Sequence, residues 1–169
     1  MFNKRSFCFF KRLKNKKGFT LTELVVIFSI MGIMMAISIP SFISWLPRHR
    51  LQTSVRQIYD DLNLAKIQAV RSNTVAVIKF KPASNDYDIF LDTDGSWSHD
   101  AGEPIIRQSA SLETGVTITG TTLPFNTCGF NNRGMLPTGV APGGQVSLTN
   151  ATGIVSGVNV NTAGNISVF

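Results

Sequence analysis

The stretch of sequence that decides the fold is residues 19–46, which read FTLTELVVIFSIMGIMMAISIPSFISWL and carry a single charged side chain, Glu23. At a rise of about 1.5 Å per residue, about 20 apolar residues cross a hydrocarbon core of about 30 Å. The run therefore predicts a transmembrane helix. An acid inside such a helix costs about 2.5–3.5 kcal/mol at the bilayer centre and less near an end. Glu23 is therefore expected either to have a partner or to lie at headgroup level.

The residues before this run are strongly basic. Residues 1–17 contain seven of the 16 Lys and Arg residues and no acid. Because the basic flank of a membrane helix stays in the cytoplasm, we expect a cytoplasmic N-terminus and a translocated remainder. A cleaved secretory signal is the alternative. It predicts a shorter apolar core followed by a small-residue cleavage site, whereas this run is longer and no A-x-A pattern follows it.

The net charge of +6 is misleading as a sign of nucleic-acid binding, because it comes from the first 17 residues. From Phe19 onward the chain has nine basic and ten acidic side chains, so a basic patch must rest on local clustering. The only cysteines are Cys8 and Cys128, which excludes a multi-cysteine zinc site and a disulfide framework. No nucleophile–base set or phosphate-binding glycine loop is recognisable, and the sequence predicts neither an enzyme nor a cofactor.

Residues 16–24, KKGFTLTEL, resemble the class III signal of type IV pilins and pseudopilins. In that family a prepilin peptidase cuts after the glycine and methylates the new terminal amine, and the apolar helix is kept. The resemblance implies cleavage between Gly18 and Phe19 and N-methylation of Phe19. Glu23 then becomes the fifth residue of the processed chain. Its carboxylate is expected to pair with the terminal amine of a neighbouring subunit and to fix the axial register of a filament.

The helix is expected to continue beyond the membrane segment. After Pro47 an apolar stripe with spacings of four and three residues predicts an amphipathic helix: Leu51, Val55, Ile58, Leu62, Ala65 and Ala69. One helix from about Thr20 to Ser72, ending at Asn73, would place this stripe on a sheet. Pro40 predicts either a simple kink or, as in the pilins it resembles, a break where the helix loosens in the filament.

Three basic residues lie just beyond the predicted membrane segment: Arg48, Arg50 and Arg56. They are candidates for contact with anionic lipid headgroups, with a filament neighbour or with DNA. The alternative is an ordinary solvated face of the helix.

The composition changes at Thr74, where Gly, Thr, Asn, Ser and Val become dominant. Short alternating segments separated by turn residues predict strands at 75–81, 87–91, 105–107, 116–119, 145–149, 154–160 and 165–169. Together with the long helix they predict an α+β fold, with a small antiparallel sheet or a pair of sheets packed on the helix.

This layout resembles the GspH/FimT type of minor pilin or pseudopilin. The resemblance rests on residues 63–73 (NLAKIQAVRSN), on 92–95 (DTDG) with 102–106 (GEPII), and on 130–134 (FNNRG). It implies a removed cytoplasmic leader at 1–18, a transmembrane helix at 19–46, an amphipathic extension at 47–73 and a periplasmic β-rich domain at 74–169.

Four acids surround Gly95: Asp92, Asp94, Asp100 and Glu103. Hard oxygen ligands beside a glycine turn make calcium a candidate, although the EF-hand spacing is not met. The alternative is a solvated acidic hairpin that binds no metal.

The sequence thus predicts a single-pass subunit of the bacterial inner membrane that helps to initiate or cap a type II secretion pseudopilus or a type IV pilus. Its expected partners are the prepilin peptidase and other minor and major subunits, with no small-molecule substrate. The alternative is a DNA-binding minor pilin for natural transformation, for which the resemblance points to a basic Gly-Arg-x-Arg tail. Residues 164–167 read GNIS, and the absence of both arginines argues against DNA binding.

Overall fold

The computed structural model describes residues 18–137 and 143–169. The chain divides into two units, one ending at Pro40 and the other covering Ser41–Phe169. Helix α1 covers Leu21–Ser72. Eight strands follow: β1 (Val75–Lys81), β2 (Asp86–Asp92), β3 (Ile105–Ser111), β4 (Val116–Thr121), β5 (Thr127–Phe130), β6 (Gly144–Asn150), β7 (Val155–Val160) and β8 (Ile166–Val168).

Both ends of helix α1 are determined by local sequence. At the start, the Thr20 hydroxyl accepts a hydrogen bond from the backbone N–H of Glu23 at 3.3 Å, which satisfies one of the free donors of the first turn. At the end, Asn73 adopts a left-handed φ of 51°, and the Thr74 N–H bonds back to the Ala69 carbonyl at 3.2 Å. This is the usual capped C-terminus of a helix, and it confirms the predicted end at Asn73.

The predicted apolar stripe forms the helix side of the core in the second unit. Its members are all at most 2% exposed: Leu51, Val55, Ile58, Leu62, Ala65 and Ala69. They pack in one cluster with inward-facing residues from both sheets, among them Ile78, Phe80, Ile89, Ile118, Leu148 and Val158. Burial of this stripe holds the second half of the helix against the sheets, because each large aliphatic side chain contributes about 1.5–3 kcal/mol when buried.

The strands form two antiparallel four-stranded sheets, so the pair of sheets, rather than a single sheet, is the correct form of the predicted α+β fold. The first has the order β3-β2-β1-β5 and the second the order β4-β6-β7-β8. The predicted hairpin of β1 and β2 pairs Val75 with Asp92 and Lys81 with Asp86. Strand β5 was not predicted from the sequence. It lies at the edge of the first sheet, and all four of its residues are buried.

Helix α1 is assigned without interruption through Pro40, which is also the last residue of the first unit. The predicted loosening at this residue concerns an assembled filament and stays a prediction. The predicted leader, residues 1–18, lies outside the described residues except for Gly18.

Candidate functional site

The residues around the predicted cleavage position form an exposed, non-helical segment. Gly18, Phe19 and Thr20 precede the first helical residue, and the Phe19 side chain is 74% exposed. A Cβ placed on Gly18 would meet no atom within 4 Å. A peptidase needs an accessible backbone, and Gly18, Phe19 and Thr20 are exposed. Cleavage itself stays a prediction.

Glu23 lies in the first turn of helix α1 and is exposed. A carboxylate at this position is favourable because the helix N-terminus carries a partial positive charge, an effect of about 0.3–1 kcal/mol at exposed sites. Thr20 and Glu23 also have the spacing of a capping box. Glu23 therefore helps to begin its own helix. Its carboxylate also remains accessible to the amine of another chain, which is the arrangement that the register role requires.

The first unit exposes apolar side chains around its whole circumference. Every residue from 18 to 39 is exposed, including eleven Ile, Leu, Val and Phe side chains between Phe19 and Ile39. This is the one helix within the described residues that is long and apolar enough to cross a membrane, with a mean hydropathy of 2.3 in its best window. Such a surface is unfavourable in water and needs a cover of lipid or neighbouring helices.

Two serine hydroxyls of the apolar segment donate hydrogen bonds within the helix. Ser29 donates to the Val25 carbonyl at 2.8 Å, and Ser38 donates to the Met34 carbonyl at 2.8 Å. A donor facing hydrocarbon without a partner would cost several kcal/mol, about the penalty for an unsatisfied polar group in lipid. These bonds make the serines compatible with an apolar environment.

The three candidate arginines do not form one patch. Arg48 lines a cavity of about 350 Å³ with Leu51 and Ile154. Arg50 points to the turn after β3 and donates to the Thr114 carbonyl at 3.1 Å. Arg56 lines a separate cavity of about 420 Å³. A phosphate-tracking surface needs several cations side by side, and the structure divides these three among different neighbours.

Residues 164–167 stand where the resemblance would place a basic Gly-Arg-x-Arg tail, and they are also held by contacts of their own. Gly164 is buried with a φ of 76°, and a Cβ there would lie 2.0 Å from the carbonyl oxygen of Gly134. Lys66 donates to the Gly164 carbonyl at 2.9 Å. The turn is therefore a packing element between the helix and the loop that contains Gly134.

The acidic hairpin brings three of its four predicted ligands together. Ligand oxygens of Asp92, Asp94 and Glu103 lie within 4.8 Å of one another. Asp100 is not part of that group and instead accepts a hydrogen bond from the Ser96 hydroxyl at 2.8 Å. Asp92 is only 2% exposed, so the hairpin is not simply a solvated acidic turn.

Backbone N–H groups donate hydrogen bonds to the carboxylates of Asp92 and Glu103. Asp92 accepts from Gly95 at 2.7 Å and from Trp97 at 3.1 Å, one bond to each oxygen. Glu103 accepts from Thr93 at 2.7 Å and from Asp100 at 3.1 Å, again one bond to each oxygen. The Thr93 and Asp100 N–H groups lower the pKa of Glu103 because they stabilise its charged form. The arrangement folds the loop without a metal ion, and calcium binding stays untested.

A buried polar cluster between the helix and the first sheet was not predicted. Asp61 is only 4% exposed. Its carboxylate accepts a hydrogen bond from Tyr87 and forms an ion pair with Arg107 at 3.1 Å. Gln57 donates to the Tyr87 hydroxyl at 3.1 Å. The signal for Asp61 was its position three residues after Ile58, which places a charged residue on the apolar face of the helix.

Two family descriptions match the chain. "Type II transport protein GspH" matches residues 54–164, which is more than half of the sequence. "Prokaryotic N-terminal methylation motif" matches residues 13–39, the stretch that contains Gly18, Phe19 and Glu23. The first match covers the second half of the helix and most of the two sheets.

Solved structures share the fold. The type IV minor pilin FimU of Pseudomonas aeruginosa superposes with a TM-score of 0.53 at 17% identity, covering 72% of this chain and 90% of that chain. The minor pseudopilin EpsH of the Type 2 Secretion System of Vibrio cholerae superposes with a TM-score of 0.50 at 12% identity, covering 71% and 96%. At such identities the likeness establishes the architecture of a long helix on antiparallel sheets.

Curated relatives match over a shorter length. Two proteins of Pseudomonas aeruginosa called "Fimbrial protein" are 32% identical over 77 residues, which is 46% of this chain and 49% of theirs. The chain spans about half the length of these relatives. The chain belongs to the GspH family of minor pilins and pseudopilins, as shown by the family match over residues 54–164, the N-terminal methylation motif and the pilin-like fold.

Proposed function

We propose that this protein is a minor subunit that initiates or caps a type II secretion pseudopilus or a type IV pilus. It enters the inner membrane with its basic end in the cytoplasm, and a prepilin peptidase cuts between Gly18 and Phe19 and methylates Phe19. The β domain then lies in the periplasm. The observation that carries the proposal is the methylation motif at 13–39, placed on an exposed apolar helix that continues into a packed domain.

The assembly role follows from charge and exposure. A new amine at Phe19 would lie beside the positive end of its own helix dipole, which is unfavourable. Pairing with Glu23 of a neighbouring subunit offsets that cost and the cost of burying the carboxylate. A slip by one helical turn, about 5.4 Å, would leave both charges unpaired. The pair therefore sets the axial position of the subunit.

The role proposed here for the chain is structural and not catalytic. Among the described residues, the buried thiol of Cys128 has its pKa raised to about 12 by burial, so it is protonated and unreactive at neutral pH. The work of filament extension would come from other components of the machinery.

In-cell crosslinking tests the proposal and separates its two forms. The protein is crosslinked in intact cells and purified from membranes, and its partners are identified by mass spectrometry. Recovery with a major pseudopilin and secretion-channel components would place it in protein export. Recovery with a major pilin and pilus-assembly proteins would place it in a type IV pilus. Recovery with neither set would contradict the proposal.

A further inference from the structure

One end of the β domain is built against the helix just where the predicted membrane segment stops. The cavity beside Arg48 is also lined by Ile154, in the turn between β6 and β7, and by Ser156, near the start of β7. The turn between β3 and β4 lies there too, because Arg50 bonds to Thr114. A Cβ on Gly115 of that turn would lie 4.0 Å from the Cβ of Ala151 in the β6–β7 turn. The two turns and the helix thus form one surface, which we name the proximal end.

The proximal end exposes apolar side chains. Ile154 is 36% exposed, Val155 is 56% exposed and Phe169 is 51% exposed. Phe169 lies beside the start of β7: its carbonyl accepts a hydrogen bond from the Ser156 hydroxyl at 2.7 Å, and its ring lies over Gly157, on the same face of the strand as Val155. Val155 and Phe169 therefore extend the apolar surface away from the helix.

Distance along the helix gives the depth of this surface. Arg48 and Gln52 follow Leu46, the last residue of the apolar run, by two and six residues. That corresponds to about 3 Å and about 9 Å along the axis. The headgroup layer extends about 5–8 Å beyond the hydrocarbon core on each side. Ile154, which shares a cavity with Arg48 and Gln52, is therefore expected at the depth of the headgroups when Leu46 lies at the edge of the hydrocarbon core.

Aromatic and basic residues at the same level favour lipid. Trp45 is half exposed and stacks on His49 with ring centroids 4.5 Å apart, as expected of a residue in the aromatic belt of a membrane interface. Arg48 and Arg50 supply positive charge. In residues 41–52, 112–115 and 151–156 the single acid is Glu113.

The opposite end of the domain carries the acidic hairpin, together with Arg71 in the last turn of the helix and Arg133 in the loop that bonds to Asn73. The acidic hairpin begins at Asp92, which pairs with Val75 just beyond the last residue of the helix, Ser72. Leu46 and Ser72 are about 39 Å apart along the axis at 1.5 Å per residue. The proximal end therefore combines the cations Arg48 and Arg50 with a single acid, Glu113, and such a cationic end is attracted to a phosphate-bearing surface.

From these contacts we propose that the proximal end is a lipid-contacting surface, on which Ile154, Val155 and Phe169 lie among phospholipid headgroups before assembly. This inference rests on the membrane anchoring given under Proposed function. Its occupant is a phospholipid surface, and incorporation into a filament would have to replace these contacts with contacts to neighbouring subunits.

Depth measurements on the full chain in lipid nanodiscs test the proposal. In a Cys8→Ser background, where buried Cys128 is shielded from labelling, single cysteines are introduced as Ile154→Cys, Ala101→Cys and Ile37→Cys and labelled with a small fluorophore. The discs contain phosphatidylethanolamine and phosphatidylglycerol with nitroxides at the headgroup or deep in the acyl chain. A soluble quencher measures how far each fluorophore is exposed to water. Ala101 is the matched exposed control in the acidic hairpin.

With one chain per disc, we expect the Ile154 label to be quenched by headgroup nitroxide and several-fold better protected from the soluble quencher than the Ala101 label. Equal aqueous quenching of these two labels, with the Ile37 label still in the acyl region, would overturn the inference and leave the anchoring intact. An Ile37 label open to water would overturn both. Protection at Ile154 that appears only with several chains per disc would identify a subunit contact and overturn the lipid assignment.

Discussion

The phenol of Tyr87 donates a hydrogen bond of 2.5 Å to the carboxylate of Asp61, across the interface between helix α1 and the first sheet. The two residues are separated by 26 positions in sequence, and both are buried. Arg107 on the neighbouring strand completes the cluster with its ion pair to Asp61 at 3.1 Å. Because apolar packing alone is non-directional, this cluster favours one position of the helix over the sheet, as do the bonds from Arg50 to Thr114 and from Lys66 to Gly164.

Removing the carboxylate is expected to destabilise the domain. Asp61→Ala would leave the buried Tyr87 hydroxyl without its acceptor and remove the partner of Arg107. The expected cost is about 1–3 kcal/mol, the penalty for a buried polar group that has lost its partner. The matched control is Asp60→Ala, an exposed neighbour on the same helix, with an expected change within about 0.5 kcal/mol. Urea denaturation of the purified chain measures both, and equal midpoints would contradict a specifying role for the cluster.

Alkaline pH is expected to weaken the fold through Tyr87. Burial, the hydrogen bond to Asp61 and the charge of that carboxylate raise the pKa of Tyr87 well above its usual value of about 10. The folded state thus keeps the proton while the unfolded state releases it, so the contribution of Tyr87 to stability is fully present below pH 10 and is lost as the pH rises above it.

The Tyr87→Phe variant isolates this effect. It lacks the titrating group, so its stability should fall less steeply above pH 10, with a difference of up to about 1.4 kcal/mol per pH unit. Cys128, whose pKa is also raised by burial, titrates in both proteins and cancels in the comparison. Parallel stability curves for the wild type and the variant between pH 9 and pH 11 would refute the assignment.

Calcium is expected to leave the stability of the protein unchanged. Both oxygens of Asp92 and both of Glu103 already accept backbone hydrogen bonds, and these bonds shape the hairpin. Thermal unfolding with calcium, with magnesium and with a chelator should therefore give the same midpoint. A calcium-specific rise that Asp94→Asn removes would show that the hairpin is a metal site after all.

Glu23 is expected to act in assembly and not in insertion. Glu23→Ala should enter the membrane and be cut after Gly18 as efficiently as the wild type, because neither step uses the carboxylate. Its incorporation into a filament should be strongly reduced, since the neighbouring amine loses its partner.

Two further variants test whether the charge of Glu23 is what assembly requires. Glu23→Gln keeps the size of the side chain and removes its charge, and it should behave like the alanine variant if the charge pair matters. Ser29→Ala, which removes a hydroxyl bonded within its own helix, is the control and should assemble normally. Sheared filament fractions probed for each variant provide the measurement, and normal incorporation of Glu23→Ala would refute the register role.

Local sequence determined most of the fold. The helix was predicted from Thr20 to Ser72 and observed from Leu21 to Ser72, because a continuous apolar run and then a single apolar stripe leave little choice. Seven of the eight strands fell at predicted places. Strand β5 is four residues long with a central Gly129, too short for alternation to show. Its burial comes from residues distant in sequence: Trp97 covers Gly129, and Cys128 and Phe130 pack in the core.

The polar contacts could not be predicted in the same way. The position of Asp61 three residues after Ile58 puts it on the apolar face of the helix, but that spacing does not say which partners it meets there. Its burial depends on Tyr87 and Arg107, which the pairing of β2 with β3 brings to one place. Likewise, Arg48 and Arg50 read as one basic cluster, but the turns at Ile154 and Thr114 give each a different neighbour. Such contacts follow from long-range strand register, which sequence periodicity does not contain.

The most direct test of the central claim is the intact mass and N-terminal sequence of the protein after co-expression with a prepilin peptidase. The account predicts a single species that lacks residues 1–18, begins at Phe19 and carries one methyl group on its terminal amine. It also predicts that a Gly18→Val substitution blocks that change. A chain that keeps its first 18 residues beside an active peptidase, or one cut after the apolar segment, would contradict the account.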